Sequence, residues 1–208
     1  MDHEPVRLSG APDALPVRPG VTLRRYRPDD VDALVAVINA NVGHLRPWMP
    51  WAGEPATTQS ITAFVHRAEE DFAAGANFVY GVFADDGELL GGCGLHARAG
   101  PGVLEIGYWI AERHTGRGLA RAVARALTVC ASAVPGVQRV EIRCDAANRR
   151  SAAIPEALGY RLLRVEQRPP AAPAETDRHL VWSLDAGAVP TPLVVTAATR
   201  PEHSHAES

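Results

Sequence analysis

The sequence predicts a mixed α/β domain of the α+β class, in which a mostly antiparallel seven-stranded sheet is flanked by about four helices. Two observations carry this prediction. Strand-like runs outnumber helical ones, and three of them follow one another through short turns before the longest helical segment. Strands joined by short turns pair antiparallel, whereas a crossover through a helix leaves its two strands parallel. The expected order is therefore β-αα-βββ-α-β-α-ββ.

The seven strands are predicted from short runs of alternating or continuous apolar residues bounded by turn residues. They cover residues 21–26, 77–83, 89–96, 103–110, 138–144, 160–166 and 177–184. The helical segments carry apolar residues at three- and four-residue spacing, as expected for one buried face. The first opens at Pro28, the second begins at Thr57 and Thr58, and the others cover 118–134 and about 148–158.

A chain of 208 residues with an ordinary globular composition is expected to form one domain, here residues 20–184. Residues 1–19 are rich in Pro, Gly and Ala without periodicity and are expected to be a flexible tail. Residues 185–208 have a similar composition and are expected to be disordered. His203 and His205 in that second tail are expected to be solvated rather than to bind a metal.

Charge and cysteine content exclude several classes of protein. The formal net charge of −3 gives no reason to expect binding to nucleic acid or to an anionic membrane. The three cysteines are widely spaced and form no ligand pattern, so no metal is expected and a reducing cytoplasm is favoured. The first residues lack a signal-peptide pattern, and no apolar run reaches the ~20 residues that span a bilayer. A monomer and a homodimer both remain open.

The most informative segment joins the strand 103–110 to the helix 118–134. It consists of Arg113, His114, Thr115, Gly116, Arg117 and Gly118, and the helix behind it starts with Leu119 and Ala120. The glycines allow the backbone to approach a ligand without interference from a Cβ atom. The free N–H groups of a helix's first turn, the positive end of its dipole and the two arginines all favour an anion. The segment therefore predicts a pyrophosphate site.

This loop resembles the acetyl-coenzyme A (acetyl-CoA) pyrophosphate loop of the GNAT N-acetyltransferases. Three further stretches fit that family in the right order: the strand 140–144, residues 148–151 and residues 156–160. Upstream, residues 44–51 resemble the substrate-side segment of the ribosomal-protein N-terminal (Rim-type) acetyltransferase branch. The resemblance spans roughly residues 20–184. It implies the GNAT fold, acetyl-CoA as co-substrate and an amine-bearing acceptor.

By the same resemblance, Trp109 and Ile110 present main-chain groups to the pantetheine arm, and one of these groups polarises the thioester oxygen. Asn148 either contacts that arm or caps the helix that follows it, and the two roles are compatible. The tyrosine that many members of the family use to protonate the thiolate is replaced by Pro155. Ser151 is therefore the expected proton donor, with bonding to the helix backbone as its alternative role.

Glu105 is the expected general base for the acceptor amine, because it lies on the strand that carries the cofactor. If the turn at 98–102 sets the register as expected, His96 lies opposite Glu105 on the same sheet face, whereas a slip of one residue separates them. Trp48 and Trp51 either form an aromatic wall over the acceptor or lock the helices onto the sheet.

Three functions remain open. The first is acetylation of a protein N-terminus or an aminoacyl-type acceptor, because an α-amine with a pKa of about 8 is roughly a tenth neutral at pH 7 and needs little help from a base. The second is acetylation of a small molecule, such as an amino antibiotic or an aminoacyl nucleotide, for detoxification or resistance. The third is a non-catalytic acetyl-CoA sensor, which the missing tyrosine suggests and which the presence of Glu105 and Ser151 argues against.

Overall fold

The computed structural model describes residues 10–189. Within these residues, eight strands and five α-helices follow one another along the chain. The strands are β1 Ala14–Arg18, β2 Val21–Arg24, β3 Asn77–Ala84, β4 Leu89–His96, β5 Val103–Ile110, β6 Arg139–Asp145, β7 Arg161–Gln167 and β8 Arg178–Asp185. The helices are α1 Val31–Ala40, α2 Val42–Leu45, α3 Thr58–Ala73, α4 Leu119–Ala133 and α5 Arg149–Ala157.

The strands form one sheet in the order β1-β2-β3-β4-β5-β6-β8-β7. Every neighbouring pair is antiparallel except β5 and β6, which are parallel because the connection between them crosses over through α4. The predicted mixed fold with a mostly antiparallel sheet is confirmed. The sheet has eight strands instead of seven, and α2 is an additional short helix in the connection between the first two predicted helices.

β5 and β6 separate part-way along their length. Their parallel register ends where Ile106 lies opposite Ile142. β5 continues to Ile110 with β4 as its partner, and β6 continues to Asp145 with β8 as its partner. Two adjacent strands therefore diverge in the middle of the sheet and leave a gap between them.

Helices cover both faces of the sheet. α4 packs on one face, where Leu119, Val123 and Leu127 are buried against side chains of β3 to β6. On the other face, α1 and α3 bury Leu34 and Ile61 in a second apolar cluster with residues of β3 and β4. Full burial of one such aliphatic side chain stabilises the fold by about 2 kcal/mol. These two layers fix the strands on either side of the gap.

The eighth strand lies in the segment that was predicted to be a flexible tail. β1 pairs antiparallel with β2, and Leu15 lies opposite Leu23. Arg18, the last residue of β1, donates a hydrogen bond of 3.1 Å to the main-chain carbonyl of Arg117. Arg117 belongs to the loop formed by residues 113–118, called the glycine loop below. Residues 14–18 are therefore a strand, held by a hairpin, and not part of a tail.

Residues 1–9 and 190–208, which include His203 and His205, lie outside the described residues. Asp185 completes β8, and the next residues, Ala186–Ala188, form a 3-10 turn. Among the helices that the structure describes, none combines the length and the apolar character needed to cross a membrane.

Candidate functional site

Successive residues of β5 direct their main-chain N–H and C=O groups alternately towards β4 and towards β6. The main-chain carbonyl of Gly102 accepts hydrogen bonds from the N–H groups of Gln138 and Arg139, just before β6 and at its start. At the other end of β5, the N–H of Ala111 donates to the carbonyl of Leu90 on β4. Even-numbered residues of β5 therefore direct their main-chain groups towards β6, and odd-numbered residues direct theirs towards β4.

This alternation directs the main-chain groups of Tyr108 and Ile110 into the gap. An extended ligand arm lying in the gap would meet them as it would meet the edge of a neighbouring strand. The main-chain role expected of Ile110 is compatible with this geometry. Trp109 was expected to present main-chain groups as well, but the alternation turns them towards β4, and its contribution to the site is the indole ring.

The loop between β5 and α4 turns at two glycines with left-handed backbone conformation. Gly116 has a φ of +73° and Gly118 a φ of +71°, where any residue with a Cβ atom is strained. Gly118 is the N-cap of α4 and has no side chain to bond the first-turn N–H groups, which remain available to a ligand. Leu119 is buried in the core and Ala120 is half-buried, so main-chain atoms dominate here. The geometry suits an anion.

Not all side chains of this loop are free to bind a phosphate. Arg113 and His114 both contact the carboxylate of Glu88 in the β3–β4 turn, with His114 Nε2 3.2 Å from Oε1. The hydroxyl of Thr115 donates to a main-chain carbonyl three residues earlier at 2.8 Å and fixes the turn. Arg117 is exposed, which leaves its guanidinium accessible to a phosphate. Of the two loop arginines, Arg117 is therefore the better candidate for a direct phosphate contact.

Asn148 and Ser151 lie at the start of α5, beside the gap. Asn148 Oδ1 accepts a hydrogen bond of 3.1 Å from the main-chain N–H of Ser151, so the capping role expected of Asn148 is present. Asn148 also lines the large cleft described below, and its contact with a pantetheine arm remains a prediction. The hydroxyl of Ser151 lies 3.2 Å from that of Tyr108 on β5.

Tyr108 is a candidate functional residue that the sequence analysis missed. It lies three residues after Glu105, so the period of two along a strand places it on the opposite face, towards α5. That parity was the signal that could have identified it. Burial raises the pKa of Tyr108, and the hydrogen bond with Ser151 offsets only part of this effect. The phenol is therefore protonated at neutral pH and is able to donate.

A cleft of about 1110 Å³ connects the gap with the face of the sheet covered by α1 and α3. Trp48, Trp51 and Trp109 all line it. The rings of Trp51 and Trp109 are 6.0 Å apart, and half of the surface of Trp51 is exposed. Packing between the helices and the sheet therefore leaves much of the Trp51 side chain accessible. This favours the alternative in which Trp51 forms part of an aromatic wall over the acceptor.

Glu105 is buried and takes part in ion pairs. Its two carboxylate oxygens accept hydrogen bonds from Arg98 at 2.6 and 3.2 Å, and Arg143 Nε lies 3.4 Å away. Both carboxylate oxygens are thus already engaged by charge-assisted hydrogen bonds. The geometry therefore argues against the predicted role of Glu105 as the general base and favours a role in holding the two arginines.

His96 lies directly opposite Glu105, as the expected register predicted. Their side chains have different partners, because Glu105 is bound by Arg98 while His96 Nδ1 lies 3.1 Å from Asn77 Oδ1. The amide nitrogen of Asn77 in turn donates to Asp71 at 2.8 Å. Burial and the neighbouring charge of Arg98 lower the pKa of His96. The imidazole is therefore neutral near pH 7.

Glycines of β4 and β5 keep the floor of the cleft open. A Cβ atom at Gly92 would lie 2.6 Å from Nε1 of Trp109, which is too close for the ring to keep its position. A Cβ atom at Gly94 would lie 3.2 Å from His96 Nε2, and one at Gly107 would lie 3.4 Å from the same atom. The bare backbone at these positions makes room for the two rings that face the cleft.

The cysteines and acidic side chains offer no metal centre in the part of the chain that the structure describes. Cys93, Cys130 and Cys144 are all free and buried. Across residues 10–189, no group of three or more His, Cys, Asp or Glu side chains is placed to hold a metal ion.

Comparison with protein families matches residues 21–161 to the family described as "Acetyltransferase (GNAT) domain". Among curated proteins, the chain is 29% identical over 141 residues to "Putative ribosomal N-acetyltransferase YdaF" of Bacillus subtilis (strain 168). That alignment covers 67% of this chain and 77% of the relative. The region matched by the family, residues 21–161, runs from β2 to the start of β7 and includes the glycine loop, the gap and α5.

Solved structures show the same fold. RimJ of Mycobacterium smegmatis, in complex with CoA-disulfide, superposes with a TM-score of 0.74 at 23% identity, covering 82% of this chain and 84% of that chain. RimL, a ribosomal L7/L12 α-N-protein acetyltransferase in complex with coenzyme A, gives a TM-score of 0.76 at 20% identity, covering 83% and 97%. The microcin C7 self-immunity acetyltransferase MccE, with acetyl-CoA and AMP, gives 0.75 at 18% identity, covering 86% and 99%.

Proposed function

Because the chain belongs to the GNAT acetyltransferase family, we propose that it transfers the acetyl group of acetyl-CoA to the α-amino group of a protein N-terminus or an aminoacyl-type acceptor. The amine attacks the thioester directly in a ternary complex. The observation that carries this proposal is the gap between β5 and β6, which ends beside the glycine loop and opens into the tryptophan-lined cleft.

The donor is held largely by main-chain groups. The pyrophosphate binds the first-turn N–H groups of α4 at Gly118 and the charge of Arg117. The pantetheine arm lies along the edge of β5 and meets the main-chain groups of Tyr108 and Ile110, with Asn148 on its other side. Positioning of the two reactants by such contacts supplies several kcal/mol of the barrier, roughly 7–11 kcal/mol at best.

The reaction needs two proton transfers, one from the attacking amine and one to the departing thiolate. We place them on opposite faces of the sheet. The acceptor enters from the face of Trp109 and His96, where the cleft opens. The departing thiolate lies towards α5, where Ser151 and Tyr108 share a hydrogen bond and form a connected pair of donors. Ser151 donates to the sulfur, and Tyr108 holds the serine hydroxyl in place.

The acceptor is proposed to be an α-amine for a chemical reason. An α-amine has a pKa of about 8, so a useful fraction is neutral at pH 7, whereas a lysine with a pKa of about 10.4 is almost fully charged. The Bacillus subtilis relative and RimL are both named as ribosomal acetyltransferases, which supports a protein N-terminus as the acceptor. The reduced, buried cysteines suit a cytoplasmic setting, where such acceptors occur.

One observation favours a second acceptor class. Trp51 is half exposed and forms a tilted aromatic pair with Trp109 at the cleft. A planar base could stack on this pair, and MccE was solved with AMP together with acetyl-CoA. An aminoacyl nucleotide or an amino antibiotic is therefore the alternative acceptor. A non-catalytic sensor is less favoured, because Ser151 and Tyr108 lie together at the place where a leaving thiolate needs a proton.

The deciding experiment measures thiol release from acetyl-CoA with two acceptor panels. One panel holds peptides that begin with Ser, Ala or Thr, and the other holds amino antibiotics and aminoacyl nucleotides. We expect turnover with the peptides, and turnover confined to the second panel would move the protein to the alternative class. Acetyl-CoA binding by calorimetry without turnover in either panel would identify a sensor, and the absence of binding would overturn the proposal.

A further inference from the structure

Asp71, Asn77 and His96 form a chain of hydrogen-bonded side chains, and His96 is the member that faces the cleft. An ionised carboxylate accepts hydrogen bonds and cannot donate them, so Asp71 must face the NH₂ group of Asn77, 2.8 Å away. The amide oxygen of Asn77 then faces His96 Nδ1 at 3.1 Å and requires a donor. The hydrogen of the neutral imidazole therefore lies on Nδ1, and Nε2 carries a free lone pair.

The free nitrogen points to the place where the sheet opens. Gly107 is the first residue of β5 beyond the last pair with β6. His96 Nε2 lies over Gly107 and Gly94, since a Cβ atom on either would come within 3.4 Å of it. This is the floor of the cleft, on the face from which the acceptor is proposed to enter. An amine approaching a thioester at the mouth of the gap passes Nε2.

Charged groups on all the surrounding elements bear on this nitrogen. Arg98 follows β4 and disfavours the imidazolium, while Glu105 on β5 and Asp71 on α3 favour it. Arg67 on α3 and Arg143 on β6 line the same cleft and add positive charge. Burial is the largest effect and, together with Arg98, keeps the pKa of His96 below its usual value. The lone pair is therefore available at neutral pH.

We propose that His96 Nε2 is the general base of this enzyme, with Asn77 and Asp71 as positioning residues that fix its tautomer. The assignment rests on the proposed function. The amine nitrogen attacks the thioester carbon, a C–N bond forms, and the proton released by the nitrogen moves to Nε2. The C–S bond then breaks and the thiolate takes a proton from Ser151. Solvent returns a proton to Ser151 and removes the one on His96, so the products are the amide and free coenzyme A.

The first test is His96→Gln, with His66→Gln as the matched control. Glutamine is polar and of similar length but does not titrate, and His66 lies exposed on α3, apart from the residues that line the cleft. General bases contribute roughly 10²–10⁴-fold. We expect kcat to fall about 100-fold in His96→Gln, with the Kd for acetyl-CoA and the circular dichroism spectrum unchanged. His66→Gln should match the wild type.

The second test is the pH profile of kcat with a peptide acceptor. The wild type should lose activity on the acidic side as His96 becomes protonated. Removal of the Asp71 charge disfavours the imidazolium, so Asp71→Asn should move this acidic limb to lower pH. A merely structural role for Asp71 would not move the limb. If the glutamine variant does not fold, this shift decides the assignment alone.

The outcomes separate the base assignment from the proposed function. A wild type that acetylates no amine overturns both. An active wild type whose His96→Gln variant keeps kcat within threefold overturns the assignment of His96 alone. Loss of the acidic limb in Glu105→Gln, with the limb intact in His96→Gln, would return the base to Glu105.

Discussion

The guanidinium of Arg18 reaches across the molecule to the main-chain carbonyl of Arg117, with a hydrogen bond of 3.1 Å. One partner ends the first strand, and the other lies between the two glycines of the loop that precedes α4. The bond links the edge of the sheet to the proposed pyrophosphate site. The first strand is therefore part of the framework of the proposed pyrophosphate site.

Arg18→Ala should weaken acetyl-CoA binding modestly. The hydrogen bond is exposed, and such bonds contribute about 0.5–1.5 kcal/mol, so the Kd should rise about threefold as the loop loses a restraint. Calorimetric titration with acetyl-CoA measures this change. Arg161→Ala is the control, since Arg161 lies on β7, the opposite edge strand of the sheet, and pairs with Asp185 of β8. Equal affinities in both variants would mean that β1 does not support the loop.

Gly118→Val should abolish detectable acetyl-CoA binding. The valine would be strained at a φ of +71°, and its side chain would occupy the approach to the N–H groups of α4. Gly136→Val is the matched control, because Gly136 has a φ of +85° just beyond the other end of the same helix. Both variants should have a lower Tm, whereas only Gly118→Val should lose the calorimetric signal. Intact binding in Gly118→Val would contradict the loop assignment.

Tyr108→Phe should lower kcat more than it changes the Kd for acetyl-CoA. Removal of the hydroxyl frees Ser151 to rotate away from the leaving sulfur. We expect kcat to fall roughly tenfold, less than the 10²–10⁴-fold of a direct proton donor, because Tyr108 acts through Ser151. In the double variant with Ser151→Ala the two losses should not add, because the hydroxyls act as one unit. Tyr160→Phe, which removes a buried hydroxyl bonded to Thr128, should lower stability and leave kcat unchanged. Additive losses would separate the two residues.

The stability of the fold should fall in acid partly through Asp30. Burial alone would raise the pKa of Asp30, but hydrogen bonds from Arg24 and from the main chain of Arg27 hold it below the usual value. A carboxylate with a depressed pKa stabilises the folded state above its unfolded pKa of about 4 and loses this contribution as the pH falls further. Urea unfolding of Asp30→Asn between pH 7 and pH 3 should show a shallower decline than the wild type. Parallel curves would remove Asp30 from the acid response.

The sequence was sufficient for most of the fold because its periodic signals are local. The helix Leu119–Ala133 and the strand Val103–Ile110 lie almost where their apolar spacing predicted. The strand Ala14–Arg18 was missed because it lies in a stretch, residues 1–19, that is rich in proline, glycine and alanine, and its order comes from pairing with β2. Whether a short segment pairs with another strand cannot be read from the spacing of its own apolar residues.

The site was predictable in outline and not in its side-chain partners. The glycine loop and the register of His96 opposite Glu105 followed from motif and turn. The ion pair of Glu105 with Arg98 did not, because it depends on how the long side chain of Arg98, at the start of the turn, folds back onto β5. The contact of His96 with Asn77 depends on packing across two strands, and no spacing along the chain reports it.

The glycines beneath the cleft have a consequence for how this protein can change. A methyl group at Gly92 collides with the indole of Trp109, and one at Gly94 crowds the imidazole of His96. An alanine at either position is therefore tolerated only if the opposing ring shrinks or turns away. In a selection for new acceptors, we expect these positions to mutate in pairs, each small residue together with the ring it accommodates.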